Sequence, residues 1–154
     1  MARKKKRVDI GNADTGVRSN YSDTLAEIIA DGFCPFCEAH LTKHHKNPIL
    51  LKGKYWLVTK NAWPYEGARF HFLFIARSHV ENIESVKPPM WQELQTLYKK
   101  LVRIHNLSGA TLLLRSGETG LTGASVNHLH AHLVVGSKRT KKTTQMRATI
   151  GFKK

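Results

Sequence analysis

The chain has 154 residues, 41% of them hydrophobic, and a formal net charge of +14. Its length predicts one globular domain. No apolar run approaches the ~20 residues of a membrane-spanning helix, and no apolar region follows the basic N-terminus as it would in a secretory signal, so we expect a cytoplasmic protein that makes no membrane contact.

The positive charge lies mostly at the two ends of the chain. Residues 3–7 hold five basic residues, residues 138–154 hold seven and no acidic one, and residues 8–137 hold 13 basic and 11 acidic residues. We therefore predict a mobile basic tail over residues 1–20, one folded domain over residues 21–137, and a basic segment over residues 138–154. Such tails are commonly solvated; the alternative is that they bind the phosphates of nucleic acid.

The first part of the domain predicts a short helix, two strands and one long helix. Residues 22–32 carry apolar residues at helical spacing and end in glycine, as a short helix does. Residues 55–59 and 70–76 are rich in β-branched and aromatic residues, which favours strands. Residues 90–105 follow the helical period throughout and come after two prolines suited to a first turn.

The second part predicts further strands around a glycine-rich loop. Residues 110–115 and 128–135 have strand character, and residues 116–123, between them, contain three glycines. Residues 146–152 predict an edge strand. Several strands with one long helix indicate an α+β fold.

The two cysteines, Cys34 and Cys37, form a Cys-Pro-Phe-Cys motif. In a cytosolic chain of this size the motif is either a redox pair or half of a metal site. Redox use would be expected directly after a strand, whereas the preceding segment predicts a helix. The sequence therefore favours a metal site.

Three histidines alternate with apolar residues in the strand over residues 128–135. Because side chains alternate sides along a strand, His128, His130 and His132 are predicted to project from one face and the residues between them into a core. Three aligned imidazoles are poorly explained by packing, since each ring carries a donor and an acceptor that need partners. The pattern indicates a metal cluster or a phosphate site.

The segment His-Leu-His-Ala-His-Leu-Val at residues 128–134 resembles the motif of the histidine triad superfamily. Residues 71–79, with a histidine at each end, resemble the strand segment of that family, and residues 123–126 resemble the Gly-Gln-Ser-Val before the triad. The cysteine motif resembles that of zinc-binding members. Residues 61–65 resemble the Asn-x-x-Pro-Tyr of dinucleoside polyphosphate phosphorylase relatives.

The resemblance implies a role for each matching residue. His130, the middle histidine, would be the nucleophile, which splits one difficult step into two. His132 would donate to the α-phosphate, and Ser125 would contact the phosphate and assist the leaving group. Asn61 would hold the ribose, and His71 would line the nucleotide pocket.

The resemblance also implies a structural zinc ion, because four ligands leave no coordination position open. The implied ligands are Cys34, Cys37, His79 and His128. Two alternatives stay open: a local site formed by the cysteines with His40 and His44, and no metal at all.

Two positions depart from the family pattern. Ala124 replaces the glutamine before the serine, which removes a side-chain contact to the bridging or leaving oxygen. Arg115 stands near the position of a phosphate-binding asparagine, where a guanidinium would suit phosphate; the alternative is a surface arginine at a strand end.

The implied fold is an antiparallel sheet of about five strands with the long helix packed on it, in the α+β class. The implied function is that of a nucleotide hydrolase or transferase, which cleaves a dinucleoside polyphosphate or a nucleoside phosphoramidate through a nucleotidyl-histidine intermediate. We expect an adenine-containing substrate and a homodimer. The alternatives are deadenylation of adenylylated nucleic-acid ends, which the basic tails would guide, and a non-catalytic nucleotide or RNA binder.

Overall fold

The computed structural model describes residues 7–9, 11 and 21–154 of the chain. These residues form four α-helices, a short 3₁₀ turn and five strands. In chain order the elements are α1 (Tyr21–Asp31), α2 (Glu38–His44), β1 (Ile49–Lys52), β2 (Trp56–Lys60), β3 (Phe70–Ala76), the 3₁₀ turn (Ile83–Ser85), α3 (Pro88–Ile104), β4 (Thr111–Arg115), α4 (Thr119–Thr122) and β5 (His130–Val135).

The described strands form one antiparallel sheet in the order β1-β2-β3-β5-β4. This arrangement, with α3 as the long helix and α1 as the short N-terminal helix, confirms the predicted α+β fold. Strand β1 was not predicted, since Ile49–Lys52 has only four residues. Strand β5 begins at His130 rather than at the predicted residue 128.

The main hydrophobic core lies between one face of the sheet and helix α3. Trp56, Phe72 and Phe74 are fully buried there, and Leu129 and Leu133 of the triad segment join them. Helix α3 contributes an apolar stripe at helical spacing, which consists of Met90, Leu94, Leu97 and Leu101. The histidines, α2 and the N-terminal segments lie on the other face of the sheet.

Helix α3 is the longest helix, with 17 residues. Pro88 occupies its first turn, where a missing amide hydrogen costs little because that amide has no partner within the helix. Neither α3 nor any other helix of the described residues is long and apolar enough to cross a membrane.

The two ends of the described chain pack around the loop before β5. Val8 pairs with Val126 and is buried against Leu25 and Ile28. The rest of the predicted tail over residues 1–20, apart from residues 7, 9 and 11, lies outside the described residues, so its mobility stays a prediction.

The C-terminal segment, residues 138–154, forms no strand, so the edge strand predicted over residues 146–152 was wrong. Gly151 has a φ of +61°, and its amide donates to Thr122 O at 3.3 Å. The carbonyl of Thr149 accepts from Arg115 at 2.5 Å. Because these backbone groups are bonded to the glycine-rich loop and to a side chain, they do not extend the sheet.

Glu93 joins helix α3 to the turn between β1 and β2. Its carboxylate accepts three backbone hydrogen bonds, from Lys54 N at 2.7 Å, Tyr55 N at 2.7 Å and Trp56 N at 2.9 Å. A side chain at Gly53 would overlap this carboxylate and displace it from its present position. Hydrogen bonds to a charged acceptor stabilise more than neutral ones do.

We therefore expect Glu93→Gln to lower the free energy of unfolding by about 1–3 kcal/mol, because an amide replaces a charged acceptor and turns a donor toward backbone N–H groups. Urea unfolding would measure the change. Glu84→Gln, at an exposed position of the 3₁₀ turn, is the matched control and should leave the midpoint unchanged. Equal midpoints for the two variants would contradict this role of Glu93.

Candidate active site and metal centre

Four predicted metal ligands meet at one end of the triad segment. The ligand atoms of Cys34, Cys37, His79 and His128 all lie within 4.8 Å of one another. Cys34 Sγ is 3.3 Å from His128 Nδ1, Cys37 Sγ is 3.4 Å from His79 Nδ1, and the two Nδ1 atoms are 3.2 Å apart. Ligand atoms ~2.0–2.3 Å from a tetrahedral zinc ion lie roughly 3.3–3.8 Å from each other. The cluster therefore has the dimensions of a metal site.

The protonation of His128 also suits a cation. His128 Nε2 lies 2.6 Å from the carbonyl oxygen of Ala76 and must donate to it, which leaves the lone pair on Nδ1, toward the sulfur atoms. His79 Nε2 lies 3.3 Å from the Glu81 carboxylate and from Arg7 Nη1. Outer carboxylate and carbonyl partners of this kind orient metal-bound histidines.

His40 and His44, the ligands of the alternative local site, do not join the two cysteines in the cluster. His40 stacks on Phe33 with ring centroids 4.6 Å apart, and His44 Nε2 lies 2.8 Å from Asp31 Oδ2. Both cysteines are free thiols. Burial raises the pKa of Cys34 to about 11, so without a cation this thiol would stay protonated.

His130 is a buried histidine of the triad segment. Its Nδ1 lies 2.6 Å from the carbonyl oxygen of His128, so this nitrogen carries the proton and Nε2 keeps the lone pair. Phe36 packs edge-on against the ring, with centroids 5.0 Å apart. Burial lowers the pKa of His130 to about 4. The imidazole is therefore neutral, with one nitrogen available as a nucleophile.

A chain of hydrogen bonds connects His71 to His132. The amide of Tyr65 donates to His71 Nδ1 at 3.0 Å, so His71 carries its proton on Nε2. That nitrogen lies 2.9 Å from His132 Nδ1 and donates to it. The proton of His132 is consequently on Nε2, at the end of the chain. These hydrogen bonds could not be found from the sequence, because they depend on a backbone amide in the connection between β2 and β3.

The position of Asn61 follows from the same turn. Asn61 Oδ1 accepts from the amide of Trp63 at 3.1 Å, and Asn61 Nδ2 lies 3.1 Å from His71 Nε2. The side-chain amide of Asn61 is therefore held beside His71, and Asn61 lines the cavity.

Arg115 ends strand β4 and is paired with His130 in the sheet register. Its Nη1 lies 3.1 Å from His132 Nε2, and its Nη2 donates to the Tyr65 hydroxyl at 3.1 Å and to the Thr149 carbonyl. The side chain thus points along the histidine face, in contrast to the surface alternative of the sequence analysis.

Ser125 lies in the loop that leads to the triad. The loop leaves α4 through Gly123, whose φ of +71° favours glycine. The N-terminal segment holds the loop from outside, since Asp9 N donates to Ser125 O and Asn127 N donates to Arg7 O, both at 2.8 Å. Ala124, which stands in place of the family glutamine, is buried.

One cavity connects most of these residues. Asn61, Arg115, Ser125, His130 and His132 all line it. His71, which was predicted to line the pocket, does not, and neither do the four cysteine and histidine ligands. Part of its wall is apolar or aromatic, and this part consists of Tyr21, Leu25, Ile28, Pro35, Phe36, Trp63, Tyr65, Leu73 and Val126. Thr149 also lines the cavity, and sequence reasoning missed it because it placed this segment in an edge strand.

Comparisons with known proteins identify a family and a fold. Residues 34–147 match the family model described as "Scavenger mRNA decapping enzyme C-term binding". No curated protein matches the chain.

Several solved structures share the fold at low sequence identity. A hypothetical histidine triad nucleotide-binding protein from Sulfolobus tokodaii is 18% identical, with a TM-score of 0.53, and the match covers 79% of this chain and 82% of that one. A zinc-bound histidine triad protein from Mycobacterium smegmatis is 16% identical, with a TM-score of 0.51 and coverages of 71% and 79%. A histidine triad family hydrolase from Clostridium thermocellum is 23% identical, with a TM-score of 0.50 and coverages of 68% and 91%.

The match to the family model covers most of the chain and includes the cysteine pair, the histidine segments and the glycine-rich loop. The chain therefore has the histidine triad fold and belongs to the family described as scavenger mRNA decapping enzyme C-term binding.

Proposed function

We propose that this chain is a nucleotide hydrolase or transferase that cleaves a nucleotidyl phosphate bond through an intermediate on His130. The observation that carries the proposal is the 2.6 Å contact between His130 Nδ1 and the His128 carbonyl oxygen, in a ring that lines the cavity. A carbonyl oxygen only accepts, so the proton belongs on Nδ1 and the lone pair on Nε2. The substrates would be dinucleoside polyphosphates or nucleoside phosphoramidates. Similar structures named a hydrolase and a nucleotide-binding protein support the proposal.

The other cavity residues complete the chemistry. His132, whose Nε2 carries a proton, would donate to an oxygen of the α-phosphate, where charge develops in the transition state. Ser125 would contact the same phosphate and assist the leaving group. Asn61 would hold the ribose, and His71 would keep His132 in its donor form. Adenine as the base, a homodimer and a cytoplasmic location rest on the resemblance alone and stay predictions.

The reaction would proceed in two displacements. In the first, His130 Nε2 forms a bond to the α-phosphorus while the bond from phosphorus to the leaving group breaks, and the leaving group takes the bonding electrons. In the second, water or inorganic phosphate attacks the phosphorus, the phosphorus–nitrogen bond breaks, and His130 regains its lone pair. The attacking molecule loses one proton to the solvent.

We also propose that zinc occupies the cluster of Cys34, Cys37, His79 and His128. Thiolate and imidazole ligands suit zinc, and four of them form a closed structural site. Such an ion would fix the cysteine motif against the start of β5, next to the nucleophile. Its contribution would be to the stability of the fold, and the displacement steps would not involve it.

His130→Asn should lower kcat by more than about 1000-fold on any substrate that the wild type cleaves, since it removes the imidazole nitrogen that forms the proposed intermediate. Rapid-quench mass spectrometry should find a nucleotide adduct on His130 in the wild type. His105→Asn is the matched control, because His105 packs against Phe70 and Phe72 with tilted rings and does not line the cavity. Near wild-type turnover by His130→Asn, or an adduct on another residue, would contradict the proposal.

The purified protein should contain about one zinc ion per chain, and His79→Asn should remove it. Loss of a structural ion should lower the melting temperature by roughly 10 °C or more. His40→Asn tests the local alternative and should retain the zinc, because His40 contacts Phe33 instead of the cluster. Metal analysis by mass spectrometry and thermal unfolding would measure both effects. A His40→Asn variant without zinc would refute this ligand set.

A second candidate function is cleavage of a nucleotidyl group from the end of a nucleic acid. A cleft beside the cavity is lined by the basic residues Arg139, Lys142 and Arg147, and it shares Tyr65 and Thr149 with the cavity. A single strand could therefore extend from the cavity along basic side chains. The family description, which names mRNA decapping, is consistent with such a substrate.

Replacing Arg139, Lys142 and Arg147 together by glutamine separates the two candidates. Under the second candidate, cleavage of a capped or adenylylated oligoribonucleotide should weaken, and its salt dependence should fall by ~0.7 in log–log slope for each lost phosphate contact. Turnover of a small dinucleotide should stay within about twofold, because only the cleft is altered. Equal effects on the two substrates would exclude a role of this segment in binding nucleic acid.

A further inference from the structure

The loop between α4 and β5 is held by residues from the opposite end of the chain. Residues 7–9 form an antiparallel bridge with residues 125–127 of this loop. One of its two backbone hydrogen bonds runs from Asp9 N to Ser125 O, and both are 2.8 Å long. In the part of the chain that the structure describes, no strand of the sheet pairs with residues 125–127. The N-terminal segment therefore supplies the pairing that fixes this loop in front of the triad.

Two further contacts fix the N-terminal segment itself. Val8 is only 6% exposed and packs against Leu25 and Ile28 of α1, both of which line the cavity. Asp9 Oδ2 accepts a hydrogen bond from Thr119 Oγ1 of α4 at 3.3 Å. Because Val8 removes apolar surface from water and Asp9 is bonded through both its main chain and its side chain, this segment belongs to the folded domain rather than to a solvated tail.

The residue that this bridge holds has a direct place in the proposed reaction. Ser125 lines the cavity together with His130, and it would contact the phosphate and assist the leaving group. A group that acts on the reacting phosphate must keep its position, since a displacement of about 1 Å can cost roughly 100-fold in rate. The bond from Asp9 N fixes the main chain of Ser125 and thereby limits where its hydroxyl can lie.

We propose that residues 7–9 are a positioning segment of the active site, which holds Ser125 at the reacting phosphate through the hydrogen bond from Asp9 N. This inference rests on the proposed function of the same site. Residues 7–9 do not line the cavity, so they act only through the loop with which they pair. Without the bridge the site keeps its nucleophile but loses a fixed partner for the leaving group. The loss should therefore fall on kcat, while binding by the rest of the cavity persists.

The test measures cleavage of diadenosine triphosphate by variants of the full chain. Asp9→Pro removes the N–H group that bonds to Ser125 O but keeps Val8, and it should lower kcat by ~10–100-fold while KM changes by less than about threefold. Asp9→Ala keeps the N–H group, so it should lose less activity than Asp9→Pro. Deletion of residues 2–5 is the control, because it retains every residue of the bridge, and it should leave kcat within about twofold.

A double-mutant cycle with Ser125→Ala separates positioning from a general loss of stability. In the Ser125→Ala background, Asp9→Pro should lower kcat by less than about a further twofold, because the hydroxyl that the bridge positions is gone. Val8→Ala is a milder change of the same segment and guards against a folding defect in the proline variant. It should lower kcat in the wild-type background and leave kcat of Ser125→Ala nearly unchanged.

Three outcomes of this cycle would overturn the inference. They are losses that multiply in the double variants, a wild-type kcat in Asp9→Pro, and a wild-type kcat in Ser125→Ala. Failure of the proposed function gives a different result, namely no cleavage of diadenosine triphosphate or of adenosine 5′-phosphoramidate by the wild type, or persistent cleavage by His130→Asn.

Discussion

Strand β5 is covered on both faces, and the rest of the structure depends on how its side chains divide between them. Leu129, Ala131 and Leu133 enter the core under α3, while the histidines face the cavity and the cysteine motif. The sheet places β5 between β3 and β4, so every part of the site touches it or a neighbour. A shift of one residue in the register would exchange the two sets and destroy the core and the site together.

The elements with strong periodicity were predictable from the sequence. The strand over residues 70–76 and the helix near residues 90–105 agree with β3 and α3 to within about two residues, the usual uncertainty of element ends. The histidine segment predicted one shared face, and residues as distant as Cys34 and His128 meet as the family resemblance implied. These features follow from spacing along the chain or from motifs that combine several residues.

The features that sequence reasoning missed depend on backbone groups and on contacts between distant segments. Strand β1 is too short for alternation to show, and residues 146–152 have strand-like side chains although Gly151 adopts a left-handed φ and the Thr149 carbonyl is bonded to Arg115. The protonation of His71 and His132 depends on the amide of Tyr65, and an amide group is present at almost every position of any sequence. No pattern of side chains could therefore have predicted the protonation of these two histidines.

The cysteine and histidine cluster has a consequence for the unfolded chain. Cys34 and His128 are separated by 94 positions, so an ion bound to both closes most of the domain into a loop, much as a disulfide would. In the chain-entropy model, closing a loop of about 100 residues restricts the unfolded ensemble by ~4.7 kcal/mol. Unlike a disulfide, this cross-link forms and opens without oxidation or reduction. The supply of metal, rather than the redox state of the compartment, would then determine how stable the folded domain is against unfolding.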